Sequence, residues 1–135
     1  YLADIGINVA LQTEDWGVYL DNYDTGKYPM YMLGWSPDYG DPDNYLYTFF
    51  GPSAVDALGW DDSAVIDLLN QAREVTGQDA RGELYNQVNQ AVYDQATSLP
   101  VAHNSVLYAA NNRVQNWTPS PLGSTEQLFL ITVGE

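Results

Sequence analysis

GWSPDYGDPDNYLYTFF, residues Gly34 to Phe50, decides how this chain is read. It gathers the acids Asp38, Asp41 and Asp43, two prolines, two glycines and a run of Trp, Tyr and Phe where a core segment or a linker would carry fewer. Immediately upstream, Met30, Tyr31, Met32, Leu33 and Trp35 form an apolar run of strand length, and Ser36, Pro37 and Asp38 stop it with turn chemistry. The acids therefore sit at a strand's exit. Asp41-Pro42-Asp43 predicts a helix start, with Asp41 as N-cap and Pro42 at the first helical position, where its missing N–H costs nothing. Tyr45, Leu46 and Phe49 follow at helical spacing. A carboxylate at such a junction, walled by Trp35, Tyr39 and Tyr45, suits a cationic or hydroxyl-bearing ligand better than a core, and the stretch reads as a binding loop.

Upstream of it, Tyr1 to Ile5 reads as the last turn of a helix, with Gly6 as left-handed cap and Ile7 as the apolar residue beyond. Ile7, Val9 and Leu11 alternate with polar Asn8 and Gln12, the period of a strand with one buried face. Thr13 then caps a helix whose first turn holds Glu14 and Asp15 and whose apolar stripe is Trp16, Tyr19, Leu20 and Tyr23, stopping near Asp24 to Gly26. Tyr28 to Trp35 is apolar without alternation, as in a strand covered on both faces, with Pro29 tolerable near its beginning. Strand, helix, strand in this order predicts a parallel pair with a right-handed crossover, hence an α/β core.

Downstream, Gly51 to Gly59 reads as a loop, with Trp60 as lid or core. Asp61-Asp62-Ser63 precede the cleanest helical stripe, Val65, Leu68, Leu69, Ala72 and Val75, ended by Gly77. After Asp79, Leu84, Val88, Ala91 and Val92 form a second stripe against Tyr85 and Tyr93, and Pro100 terminates the segment beyond it. Two such helices, antiparallel, would cover one sheet face. Val101 to Ala110 and Leu128 to Val133 read as short strands separated by an irregular stretch holding Trp117, Pro119, Pro121 and Gly123.

With 135 residues, 45% of them hydrophobic, the chain can build one domain-sized core but not two. A formal charge of −14, with Lys27, Arg73, Arg81 and Arg113 as the only strong cations, argues against nucleic acid and anionic membranes as partners. It fits a cationic solute or a salty milieu, and equally a surface kept soluble by its acids. Without cysteine there is no disulfide, zinc-thiolate site or thiol nucleophile. No signal peptide and no apolar run of spanning length is present.

The order strand, G-W-x-x-D-Y-x-D-P-x-N-Y-L, aromatic helix resembles the C-terminal part of the bacterial extracytoplasmic solute-binding proteins of ABC importers, in their oligopeptide and dipeptide branch. The resemblance extends over nearly the whole chain: Gly6-Ile7, the helix near Trp16, the helix near Leu68 and Leu69, the later helix, Leu99-Pro100, and Val114 through Pro121-Leu122-Gly123. It implies an α/β fold, the C-terminal portion of a two-lobed periplasmic-binding-protein-like clamp with a mixed sheet and covering helices. Members are several times longer, which implies a fragment. Residues 1–102 would form the ligand-binding lobe, incomplete at its N-terminus. After a hinge crossing near Val101 to Asn104, residues 103–135 would return to the other, absent lobe and expose apolar surface. The resemblance further implies capture of extracytoplasmic solute, peptide above all, in the periplasm or from a lipid anchor at the outer face of the cytoplasmic membrane. Its partners would be the permease subunits and the missing N-terminal lobe; no cofactor or metal is implied.

In peptide-binding members of that family, the Asp matching Asp38 anchors the ligand's α-amino group; an ammonium held in a closed cleft needs an ionised carboxylate. Asp38 can also simply cap the turn. The ligand-binding set is Asp38, Trp35, Ser36, Tyr39, Asn44 and Tyr45, with Asp41 as helix cap and Asn44 tying down the loop through its amide. Trp35, Tyr39, Tyr45 and Tyr47 can stack on sugar rings or peptide side chains, while for Tyr45 and Phe49 core packing is the favoured reading. Asp43 reads as an exposed first-turn residue. Asp38, Asp41, Asp43 and Asn44 as calcium ligands fit poorly, because Pro42 interrupts the alternation of such a loop and no distal Glu follows. Catalysis has thinner support still. His103 is the single imidazole, Ser36 and Ser105 lie in no G-x-S-x-G elbow, and paired acids on one loop are common without hydrolysing glycosides. Asn116-Trp117-Thr118 matches a glycosylation sequon followed by Pro119. Three readings remain: a solute-binding protein for peptide or for oligosaccharide or another neutral solute, a carboxylate-dependent glycoside hydrolase, and a purely structural domain.

Overall fold

A computed structural model describes residues 1–120, 122 and 130–134 of the chain. Its centre is three helices: α2 (Pro42–Phe50), α4 (Ser63–Glu74) and α5 (Gln78–Gln95). Asp62 starts α4, its carboxylate accepting from the N–H groups of Ala64 at 2.9 Å and Val65 at 3.2 Å, donors that the first turn leaves without intrahelical partners. Val65, Leu69 and Ala72 then recur on one stripe and are fully buried against Tyr85, Val88 and Val92 of α5. Leu46, Tyr47 and Phe50 of α2 close the cluster from a third side, and Trp60 joins edge-on to Phe50 at 5.7 Å while its indole N–H donates to Gln95 Oε1 at 2.7 Å. Trp60 is thus part of the core margin.

Before this centre lie a 3₁₀ turn, Leu2–Ile5, closed by left-handed Gly6, and helix α1 (Trp16–Asp24). The turn matches the helix end read from the sequence. The cap of α1 does not: Asp15, not Thr13, accepts from Gly17 N–H at 3.0 Å. After α1 the chain doubles back, so that Tyr19 stacks on Tyr28 at 5.2 Å, Tyr23 meets Tyr31 edge-on at 5.0 Å and Tyr19 donates its hydroxyl to Met32 O at 2.9 Å. Gly26 makes the reversal with φ of 64°, and a Cβ there would collide with the Asp56 carbonyl oxygen of α3 (Val55–Leu58).

Several elements differ from the sequence reading. Among the described residues, the one ladder is antiparallel, two residues long on each side: β1 (Val114–Gln115) pairs with β2 (Thr132–Val133) in the register Val114 with Val133 and Gln115 with Thr132. Residues 7–13, 28–35 and 101–110 carry strand patterns but form no strand, so the parallel pair and the sheet beneath α4 and α5 are absent there. The physical reason is pairing: a strand exists only where a neighbour takes its N–H and C=O groups, and periodicity reports a buried face without supplying that neighbour. Leu128, the predicted start of the last strand, lies outside the described residues, as do Pro121 and Gly123. Gly51 to Gly59 is not a loop; a 3₁₀ turn at Pro52–Ala54 and α3 occupy it. Helix α4 ends at Glu74, and Gly77 opens α5 instead of closing α4, while α5 stops at left-handed Ala96, ahead of Pro100.

Candidate functional site

The 34–50 stretch is built on the first turn of α2. Asp41 is its N-cap, Pro42 the first helical residue, and Asp41 Oδ1 accepts from Asp43 N–H at 2.9 Å, as the sequence implies. The carboxylate is also gripped in a fork by Arg81 of α5, with Nη1 to Oδ2 at 2.8 Å and Nη2 to Oδ1 at 2.9 Å. That hydrogen-bonded guanidinium holds the Asp41 carboxyl below its ordinary range, and the same contact raises Arg81 above its own. Asp43, read from sequence as exposed, is buried. Its Oδ2 accepts from the Tyr39 hydroxyl at 3.0 Å and its Oδ1 lies 3.3 Å from Arg73 Nε without hydrogen-bond geometry, so the ion pair alone balances that oxygen. Arg73 in turn lies over the Tyr47 ring, 4.0 Å from its centroid. A buried carboxylate demands such a partner, and sequence periodicity at a first turn reports only the helix dipole.

Asn44 is the joint of the loop. It is buried, and its Oδ1 accepts both the Trp35 indole N–H at 2.9 Å and the Asp38 backbone N–H at 3.1 Å. It therefore acts on the loop from beneath. Trp35, 42% exposed, is further fixed edge-on to Phe49 at 5.5 Å, leaving part of its ring open. Tyr39 is 47% exposed. Tyr45 is 44% exposed, which removes it from the core, and Phe49 is half-buried. With Gly40, Asp41, Pro42, Leu46 and Asn89, Tyr45 lines an open depression of about 420 Å³ that Asp38 does not border. Ser36 and Asp38 are exposed, and among the described residues the Asp38 carboxylate meets no donor or cation. The structure thus brings Trp35, Asp38 and Asn44 together through one amide and sets Tyr45 on another flank.

Three acids within six positions therefore divide into two fates. Asp41 and Asp43 are committed to arginines, and Asp38 is left facing solvent. Among the described residues no three acidic or histidine side chains converge as metal ligands, and the arginines on Asp41 and Asp43 occupy oxygens that a calcium loop would need. The roles of Arg73 and Arg81 were not visible in the sequence: Arg81 stands 40 positions from Asp41, and no local period links them.

Comparison with known proteins bears on the same stretch. Residues 1–57 match the middle region of the bacterial extracellular solute-binding proteins, family 5. The chain is 34% identical over 98% of its length to di/tripeptide-binding protein 1 of Pseudomonas aeruginosa, and 33% identical over 90% to heme-binding protein A of Haemophilus influenzae, spanning 25% and 23% of those proteins. Among solved structures it superposes with a TM-score of 0.77 and 27% identity on the periplasmic binding protein DppA of Helicobacter pylori, an ABC-transporter-associated protein in complex with the peptide STSA, covering 99% of this chain and 27% of that one. The fold is thus that of part of an α/β periplasmic-binding-protein clamp, although the short antiparallel ladder is the sheet seen within the described residues. The chain spans about a quarter of the length of these relatives, and with them it belongs to the bacterial extracellular solute-binding proteins of family 5.

Proposed function

We propose that this chain supplies the Asp38 loop of an extracytoplasmic solute-binding protein that captures peptides for an ABC importer. The observation that carries this reading is the exposed carboxylate of Asp38, without a partner among the described residues, on a loop whose other two acids are neutralised internally. A peptide's ammonium would meet Asp38 directly, with the open part of Trp35 and with Tyr39 beside it, and Ser36 at the rim. Asn44 keeps the loop in place, and Tyr45 offers a second apolar contact on the flank. Membership in the family supports a location outside the cytoplasm. Within that compartment we place the protein in the periplasm or on a lipid anchor, with permease subunits as its partners. No helix among the described residues is long and apolar enough to cross a membrane.

We keep the division that the family resemblance implies: residues 1–102 would belong to the ligand-binding lobe and 103–135 would return across a hinge to the other lobe. The chain's accessible surface of 10559 Å², against about 7,000 Å² for a compact monomer of 15.0 kDa, supports surface that a longer protein would cover, wherever the lobe boundary lies. We read the protein as a binder and not an enzyme. The hydrolase reading loses the second carboxylate that Asp38 would need, since Asp41 is held below its usual range by Arg81 and Asp43 is paired with Arg73.

Titration of the full-length protein with free and N-acetylated dipeptides tests the proposal. A charge-assisted contact is worth about 1.5 to 3 kcal/mol, so Asp38→Asn should weaken binding of the free dipeptide tenfold or more and leave folding unchanged. Equal binding of free and acetylated peptides by the wild type would overturn the amine anchor and favour a neutral solute such as an oligosaccharide.

A further inference from the structure

The chain has four Lys and Arg residues against eighteen Asp and Glu, and two of the four end at the first turn of α2. Arg81 does so with its whole guanidinium. Nε donates to the carbonyl of Ala72 in the last turn of α4 at 2.9 Å, both terminal nitrogens reach Asp41, and Nη2 also meets the Tyr85 hydroxyl at 2.9 Å. Acceptors on α2, α4 and α5 thereby fix the plane of one rigid fork, a task that the single point charge of lysine cannot do.

We infer that Arg81 is a positioning residue for the ligand loop: by gripping Asp41 from the helix pair it sets where Asp38 stands, and ligand affinity depends on it although it touches no ligand. The inference rests on the proposed role of Asp38. The connection is continuous. Asp41 donates its own N–H to Tyr39 O at 3.0 Å and accepts Asn44 N–H on its carbonyl at 3.1 Å. Asn44 then holds Trp35 Nε1–H and Asp38 N–H. From guanidinium to loop there are three hydrogen-bonded steps, each through a residue of the loop or of the first turn of α2. The core beneath does not need them, because Val65, Leu69, Ala72 and Val88 are fully buried among α4 and α5. Loosening the fork should therefore free the loop before it loosens the helices.

The test compares Arg81→Lys and Arg81→Met with Leu84→Ala in the full-length protein. Leu84 is a half-buried core residue of α5 and serves as a general destabiliser. In the ligand-free protein, exchange of the hydrogen-bonded amides of Asp38, Asp41, Asp43 and Asn44 should quicken about tenfold in both Arg81 variants while the amides of Leu69 and Val88 keep their rates. The Kd for dialanine should rise about fivefold to tenfold. Leu84→Ala should lower Tm and leave loop exchange and Kd unchanged. Loop exchange unaltered in both Arg81 variants, an equal loop response in Leu84→Ala, or faster loop exchange with an unaltered Kd would each overturn the inference. A wild type that binds no dialanine counts against the reading of Asp38, and loop exchange alone then decides that of Arg81.

Discussion

Leu69 and Leu107 are the same residue in opposite situations: Leu69 is 0% exposed between α4 and α5, and Leu107 is 91% exposed in a stretch with no regular structure. The contrast stems from how each secondary structure satisfies its backbone. A helix pairs its own N–H and C=O groups, so α2, α4 and α5 can close a core from residues 42–95 alone. A strand must borrow a neighbour. Residues 7–13, 28–35 and 101–110 carry apolar faces fit for a sheet and have no partner strand within the described residues, so Leu11, Met32 and Leu107 remain exposed.

The contrast breaks first at Leu69. Leu69→Ala removes side-chain atoms from the centre of the helical cluster and should cost about 2 to 5 kcal/mol, read as a lower denaturant midpoint at constant slope. A loss below about 1 kcal/mol would mean that the helices do not form a self-sufficient unit.

A smaller effect lies at the start of α4. Asp62 accepts Gln95 Nε2–H at 2.5 Å besides capping the helix, and that contact first, the backbone donors second, lower its carboxyl below the ordinary value. A depressed folded pKa means that the stabilisation is complete above the unfolded value near about 4 and fades as pH falls through the folded one. Asp62→Ala should therefore cost about 1 kcal/mol at pH 7, and the gap to wild type should narrow below about pH 4. A gap independent of pH would show that the charge on Asp62 plays no part.

Much of this centre is legible in the sequence. Asp41-Pro42 announces a cap and a first turn by chemistry that acts within three residues, and Val65, Leu69 and Ala72 announce a buried stripe by spacing alone. Asn44 as the tie of the loop is readable from its amide. The features that the sequence hides are long-range or depend on partners. Asp43 looks like any first-turn acid until Tyr39 and Arg73 are seen on it, and Arg81 looks like a solvated charge until the fold carries it to Asp41. The strand patterns misled for the same reason, since alternation in Ile7 to Leu11 records a face to be covered and says nothing about the cover. Trp35, Asp38 and Tyr39 were readable as a cluster because they lie within five positions; that Tyr45 turns to another flank was not.

Leu107 sharpens the contrast with the smallest effect in this chain. In the 135 residues alone, Leu107→Ala removes an exposed side chain that shields nothing and should change stability by less than about 0.5 kcal/mol. In the full-length protein the proposed return of residues 103–135 to a second lobe would bury this side chain, and the same substitution should then cost about 2 to 5 kcal/mol, the range expected at Leu69. The two measurements share one chemical change, so the difference between them isolates what covers the segment. Proteolysis gives a parallel readout, because an uncovered 101–111 segment is cleaved early and a covered one is protected. A loss below about 0.5 kcal/mol in both contexts would place Leu107 in solvent throughout and move the lobe boundary away from residues 101–104. A large loss in the isolated chain would instead show that Leu107 packs within these residues, and the contrast with Leu69 would disappear.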